Sequence, residues 1–258
     1  MGAVAVIFVL LVVTAAVGVR SVWGFGDAML AVPLLSLVIG LDQATPLITL
    51  TGALVAVSLL RERPELIERP RILRLLAGAV LGAPIGLYLL VGVPPAWAHA
   101  VLGLLLLGFG LWSLTGQRTG TGPSVRGPRT ELALDLGFGL LAGVSSAAFN
   151  IAGPPMLLYA AARGWSADEL RVNLQAVFLP LALLTMTGHA LAGLWSVEVL
   201  GLAALALPLV WLTTRLAPRL RQRSSDRRGR VVVYGLIVAL GLAELVRAAV
   251  ALLGASGP

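Results

Sequence analysis

The chain has 258 residues, of which 58% are hydrophobic and only 12% charged, and its mean hydropathy is +0.95. Soluble domains carry about 25% charged residues, so this composition excludes a soluble fold and a disordered chain and makes the bilayer the solvent. The formal net charge is +7, and all 19 cationic side chains are arginines. Cysteine is absent, which excludes disulfides and thiolate chemistry.

Ten apolar segments follow one another along the chain, and most have about the 20 residues that a helix needs to cross a bilayer. They are 1–19, 24–40, 43–60, 72–92, 96–115, 132–150, 154–163, 170–194, 196–216 and 231–253. The segment 154–163 is too short, because ten helical residues rise only about 15 Å. No basic residue precedes the first segment, so we expect a retained membrane helix there rather than a signal peptide.

The arginines between these segments predict the orientation of the chain. Fifteen of the 19 lie in three loops, at 61–74, 118–129 and 215–230, and the positive-inside rule places all three loops in the cytoplasm. The joints at 93–95 and 195 carry no arginine and are expected outside. Topology therefore accounts for the basic residues, and we expect no nucleic-acid partner.

Counting the crossings puts both termini outside and gives two halves of opposite orientation. Residues 1–115 and 131–253 are each a broken or re-entrant hairpin followed by three transmembrane helices, residues 116–130 are a cytoplasmic linker, and 254–258 are a C-terminal tail. The sequence thus predicts an all-α polytopic membrane protein with two inverted repeats and 8 to 10 membrane segments. Inverted repeats with broken helices near the midplane are the layout of many secondary transporters.

Each predicted hairpin has a polar, glycine-containing tip inside apolar sequence. The candidate site residues at the tips are Gly24, Gly26, Asp27, Ser145, Ser146, Asn150, Gly153 and Pro154. Unwound backbone at membrane depth is tolerated only where it is buried in protein or lines a cavity. A helix that starts at Pro154 would aim free N–H groups at the break, which favours an anion. The alternative for Asn150 and the serines is that they cap helix ends.

Both halves also carry a pair of polar side chains early in the next crossing. Thr49 and Thr51 in the first half, and Asn173 and Gln175 in the second, follow the glycine that ends each hairpin at the same two offsets. Residues two apart do not share a helix face, so one member of each pair is expected to face the site, and the spacing does not decide which. Thr49, Asn173 and Gln175 join the candidate site; hydrogen bonds between helices are the alternative for Asn173 and Gln175.

The hairpin tips, the spacing after them and the two-half organisation resemble the TauE/SafE sulfite-exporter family of bacterial membrane permeases. Residues 153–159, with the sequence GPPMLLY, are similar to the Gly-Pro-Pro form of that family's repeat, and residues 24–26 followed by Pro33 correspond to its glycine-rich tip. The resemblance covers nearly the whole chain. It implies a multi-pass protein of the bacterial inner membrane that exports sulfite, an organosulfonate or a related small anion.

Asp27 departs from the family pattern, which usually has further glycines there. An acid beside an anion site is unfavourable unless it is protonated or paired, and this suggests proton coupling through Asp27. Three interpretations stay open: Asp27 acts in transport, it forms a structural pair with Arg20, seven residues earlier, or it is simply exposed at the interface. Arg20 in turn either contacts the anion or extends to interfacial water.

Two other functions are weighed against anion transport. The run from Gly24 to Asp27 has the Gly-x-Gly-Asp form of intramembrane aspartyl proteases, but that chemistry needs two carboxylates, and no acid precedes Asp27. A cation or metal permease is disfavoured because soft metals prefer thiolate and imidazole ligands, and the chain has two His and no Cys.

We therefore predict a secondary transporter that works by alternating access and is not an enzyme, without catalytic residues, metal or cofactor. Its expected partners are a small anionic substrate and the lipid bilayer, with a homo-oligomer left open. Outside the tips, we interpret His189 as a packing residue, and Glu244 with Arg247 as an ion pair one helical turn apart.

Overall fold

The computed structural model describes residues 2–60, 64–115, 127–224 and 227–254, and within them the chain is helical without strands. The first half contains α1 (Ala3–Trp23), α2 (Asp27–Ile39), α3 (Leu41–Leu60), the 3-10 helix η1 (Pro64–Leu66), α4 (Arg69–Val91) and α5 (Pro95–Leu114). The second half contains α6 (Pro128–Phe149), α7 (Gly153–Arg163), α8 (Ala167–Leu191), α9 (Val197–Ser224) and α10 (Arg227–Gly254).

Eight of these described helices are long and apolar enough to cross a membrane, namely α1, α3, α4, α5, α6, α8, α9 and α10. The other two are half-helices: α2 has 13 residues and α7 has 11, which correspond to about 20 and 17 Å against a hydrocarbon core of about 30 Å. The prediction of an all-α polytopic membrane protein with 8 to 10 membrane segments is confirmed.

Two predicted loop boundaries differ from the structure. α6 begins at Pro128 rather than after 130, because proline is well suited to the first turn of a helix. The third basic stretch, predicted as a loop over 215–230, is largely helical, since α9 continues to Ser224 and α10 begins at Arg227; arginine and leucine are good helix formers. The predicted linker at 116–126 and the tail at 255–258 lie outside the described residues.

The breaks between α1 and α2 and between α6 and α7 are made by residues that accept left-handed backbone. Gly24 and Gly26 have φ of 87° and 101°, and Asn150, which ends α6, has φ of 55°. Glycine has no Cβ to clash in this region, and asparagine tolerates it better than most residues. Both hairpin tips are therefore encoded locally in the sequence.

Close packing between α4 and α6 depends on glycine. The glycines that face the partner helix are Gly78, Gly82 and Gly86 on α4 and Gly139 and Gly143 on α6. A Cβ placed on Gly82 would lie 2.2 Å from the carbonyl oxygen of Leu140, so no side chain fits there. Lipid tails are as apolar as leucine, and helices in a bilayer are held together by close van der Waals contact of this kind.

The two halves interleave instead of forming separate domains. α4 packs along α6 and α1 along α9, while α5 pairs with α10 and α3 with α8. Suppose that each helix of the first half is exchanged for its counterpart in the second, α1 for α6, α3 for α8, α4 for α9 and α5 for α10. The pair of α4 and α6 then becomes the pair of α9 and α1, while the pairs α5–α10 and α3–α8 stay the same. This pairing agrees with two related halves, and their opposite orientation stays a prediction.

Candidate functional site

The two hairpin tips meet at a small cavity between α3 and α8, with a volume of about 30 Å³. Its polar and glycine lining consists of Arg20, Gly26, Asp27, Thr49, Gly52, Ser146, Asn150 and Gly153. Its apolar lining consists of Phe25, Ala28, Met29, Ile151, Ala152, Phe178, Leu181 and Ala182. Both halves of the chain therefore contribute to one amphipathic cavity.

Arg20 is the one basic residue among the described residues that line the cavity, and it is only 5% exposed. Its Nη1 donates to Asp27 Oδ2 at 2.9 Å, and its Nη2 donates to Gln175 Oε1 at 3.0 Å. The guanidinium lies 5.2 Å from the centre of the Phe178 ring. Nε has no hydrogen-bond partner in the structure. Arg20 thus pairs with Asp27, as one of the interpretations above expects, and both side chains are buried rather than exposed at the interface.

Gln175 connects this ion pair to the end of α1. Its Nε2 donates to the carbonyl oxygen of Gly24 at 2.7 Å, while its Oε1 accepts from Arg20. Because both ends of the amide are occupied, Gln175 holds Arg20 and the first tip in place from α8. Gly24 itself does not line the cavity, since its Cα faces the side chain of Arg171.

The amino end of α2 offers more backbone donors to the cavity than that of α7. The first N–H groups of a helix have no acceptor within it, and in α2 these belong to Asp27, Ala28 and Met29, which all line the cavity. In α7 the next two positions after Gly153 are prolines, which have no N–H. The expected helix start at Pro154 or Pro155 is corrected to Gly153, and Pro154 is buried but does not line the cavity.

Three of the six hydroxyl and amide candidates line the cavity, and Ser145 is among the three that do not. Thr49, Ser146 and Asn150 are in the lining; the Thr49 hydroxyl donates to the carbonyl of Thr45 at 2.8 Å, so its oxygen can still accept. Ser145 is directed along its own helix, where its hydroxyl donates to a carbonyl one turn earlier at 2.8 Å. We leave Ser145 out of the proposed site.

Asn173 lies away from the cavity. Its Nδ2 donates to the carbonyl oxygens of Leu66 and Glu169, at 3.1 and 2.9 Å, and its Oδ1 accepts from the backbone N–H of Glu68 at 2.9 Å. The side chain therefore fastens α8 to the segment that follows α3. This matches the alternative interpretation, and Asn173 is also left out of the proposed site.

Sequence reasoning missed Gly52 and Phe178, although a simple signal identifies both. Gly52 follows Thr49 by three residues, and Phe178 follows Gln175 by three, so each shares a helix face with a predicted residue. A Cβ on Gly52 would lie 2.8 Å from Arg20 Nη1. A search one helical turn beyond Thr49 and Gln175 would therefore have found Gly52 and Phe178.

Two further buried charged clusters lie outside the cavity. In the first, Glu244 contacts His99 Nδ1 at 2.5 Å, Ser36 Oγ at 3.2 Å and Arg247 Nη1 at 3.3 Å, which confirms the predicted pair of Glu244 and Arg247. This cluster fastens the carboxyl end of α2 to α5 and α10.

His189 lies apart from both clusters. It is fully buried, and its Nε2 lies 3.2 Å from the backbone carbonyl oxygen of Ala147.

The second cluster surrounds Asp135, which is fully buried near the start of α6. Its carboxylate accepts from the Tyr159 hydroxyl at 2.7 Å and from Arg163 at 2.6 Å, and it lies 3.0 Å from Arg74 Nε. It fastens the carboxyl end of α7 to α4 and α6. Each half-helix is therefore held at the end that is remote from the cavity.

The described part of the chain contains no group of three or more His, Asp or Glu side chains placed to hold a metal ion. Asp27 is the one acid among the described residues that line the cavity, and its partner is an arginine. Two carboxylates that share a proton, as an aspartyl protease requires, are not brought together there.

Eight helices that are long and apolar enough to cross a membrane, with two half-helices that start at a shared cavity, are a layout found in many membrane transporters. The family model of the sulfite exporter TauE/SafE matches residues 8–243 of the 258. The chain therefore belongs to the TauE/SafE sulfite exporter family, a family of membrane transport proteins. No significant match was found to a curated protein or to a solved structure.

Proposed function

We propose that this protein is a secondary transporter that exports a small anion, such as sulfite or an organosulfonate, by alternating access. The observation that carries the proposal is Arg20, a buried cation at the cavity where both hairpin tips meet. A buried charge is costly and is retained in membrane proteins chiefly where it serves a substrate or ion pathway. The proposed binding residues are Arg20, Gly26, Asp27, Thr49, Ser146, Asn150 and Gly153.

The pairing of Arg20 with Asp27 supports proton coupling. The two charges cancel each other, so a monoanion that enters would leave one uncompensated negative charge in a poorly solvated cavity, which is unfavourable. A proton bound by Asp27 restores neutrality and frees Arg20 Nη1 for the substrate. We therefore propose that one proton is bound with each monoanion.

Efflux from proteoliposomes tests both parts of the proposal. Purified protein is reconstituted with internal sulfite or methanesulfonate, and release is followed with and without a proton gradient, for the wild type and for Asp27→Asn. Because the proton and the anion cross together, we expect saturable release that an inside-acid gradient accelerates, and an Asp27→Asn variant that this gradient no longer affects. Unchanged coupling in Asp27→Asn would return Asp27 to a purely structural role, and no saturable release of either anion would overturn the anion transporter.

We also propose that the protein lies in the bacterial inner membrane with its basic loops in the cytoplasm and both termini outside, from the positive-inside rule. The chain has no cysteine, so single cysteines introduced at residue 2 and at residue 127 have no background labelling. A membrane-impermeant thiol reagent applied to intact cells should label position 2 and spare position 127. The reverse labelling would invert the proposed orientation.

A further inference from the structure

Gly52 on α3 faces the point where the polar groups of the cavity converge. A Cβ built on Gly52 would lie 2.8 Å from Arg20 Nη1, 3.5 Å from Asp27 Oδ2 and 3.6 Å from Asn150 Nδ2. These three groups come from α1, from the start of α2 and from the end of α6. They belong to three separate elements, and all three surround the space that a side chain at position 52 would enter.

The chemistry of the three groups suits an oxyanion head group. The guanidinium of Arg20 and the amide of Asn150 are donors, and Asp27 becomes a third donor when it holds a proton. A sulfite or sulfonate head has three oxygens, which is one for each donor. Hydrogen bonds in which one partner is ionised are about twice as strong as neutral ones, so this arrangement would contribute much of the binding energy.

We infer that Gly52 is a specificity-determining residue of the anion site: because it has no side chain, the guanidinium of Arg20 can lie against α3, in the position where it, Asn150 and Asp27 together face the substrate head group. This rests on the proposed function and adds where in the cavity the anion binds. A methyl group at position 52 displaces the guanidinium of Arg20, which hydrogen bonds from Nη1 to Asp27 and from Nη2 to Gln175 now fix. The neighbour at 2.8 Å is the end of a long side chain rather than backbone, so the fold tolerates the change.

Gly52→Ala is compared with Gly108→Ala, a glycine on α5 with nothing within 4 Å of an added Cβ. Sulfite release from proteoliposomes is measured over a range of internal concentrations. We expect Gly52→Ala to raise the KM for sulfite at least about tenfold, the loss that corresponds to one hydrogen bond to a charged group, while Gly108→Ala keeps the wild-type KM. A purely structural defect would lower the maximal rate through a smaller active fraction and leave KM unchanged.

Asn150→Gly provides a second variant at the same point. Glycine accepts the φ of 55° at this position, so the change removes the amide donor without straining the end of α6, and KM should again rise about tenfold. Wild-type KM values in both variants would overturn the inference about Gly52 and leave the transporter in place. No saturable release by the wild type itself would overturn the proposed function, and this inference with it.

Discussion

Neutralising Arg20 and Asp27 one at a time and together should reveal how strongly the two buried charges depend on each other. The atoms Nη1 and Oδ2 lie 2.9 Å apart, and the two residues are only 5% and 7% exposed. Removing one partner of a buried pair leaves an uncompensated charge and costs about 3–5 kcal/mol, whereas replacing both partners is often close to neutral. We expect Arg20→Gln to lower the free energy of unfolding by at least about 3 kcal/mol.

Asp27→Asn should cost less, because the asparagine oxygen can still accept from Arg20 Nη1. The double variant should be more stable than Arg20→Gln alone, with a coupling energy of at least about 2 kcal/mol. Unfolding is followed by titrating a denaturing detergent into mixed micelles of purified protein. Glu131→Gln is the control, since Glu131 is 29% exposed in its pair with Arg163 and should contribute about 1 kcal/mol or less.

Strictly additive single variants would refute this reasoning, because they would show that the two charges do not stabilise each other in the folded protein. A loss in Glu131→Gln as large as that in Arg20→Gln would refute it in another way, because burial would then not determine the cost. The same four proteins can be used in the efflux assay, so stability and transport are compared on one set of samples.

Three further changes probe backbone, packing and the cluster around Glu244. Asn150→Ala should melt lower than Asn150→Gly, because a left-handed backbone costs a residue with a Cβ about 1–2 kcal/mol; equal melting temperatures would contradict this. In Gly82→Ala the new Cβ would lie 2.2 Å from a backbone oxygen on α6, so the free energy of unfolding should fall by about 1–3 kcal/mol. Gly108→Ala has nothing near the new Cβ and should lose no stability. The reverse order in thermal melts would refute the packing argument. Glu244→Gln should cost only about 1 kcal/mol, because the charge left on Arg247 is a third exposed and stays solvated; a loss as large as that in Arg20→Gln would contradict this.

The positions of the hairpin tips could be predicted because they depend on local chemistry. Gly24, Gly26 and Asn150 accept left-handed backbone, and each stands directly between apolar stretches. The half-helix α7 was predicted from length alone. The half-helix α2 was not, since the apolar run 24–40 is nearly long enough to span. Its helix begins at Asp27 because Gly24 ends α1 and Gly26 precedes α2, both with left-handed backbone.

The partners of each polar side chain could not be predicted. Thr49 and Thr51 have the same spacing and similar chemistry, yet only Thr49 lines the cavity. Asn173 and Gln175 are likewise equivalent in the sequence, and yet one contacts the loop after α3 while the other holds Arg20. The rotation of a helix about its axis decides this, and that rotation depends on contacts with α4 and α9 that sequence spacing does not encode.

The sequence by itself determined the solvent, the secondary structure and the two breaks, because composition, segment length and left-handed backbone are local properties. Only the tertiary structure decided that the halves interleave, with α4 along α6 and α1 along α9, and that Gly52 faces the ion pair of Arg20 and Asp27. Close packing of this kind needs small residues on both partners at matching heights. Glycine is frequent throughout the chain, so its presence alone cannot indicate which pairs of helices approach each other.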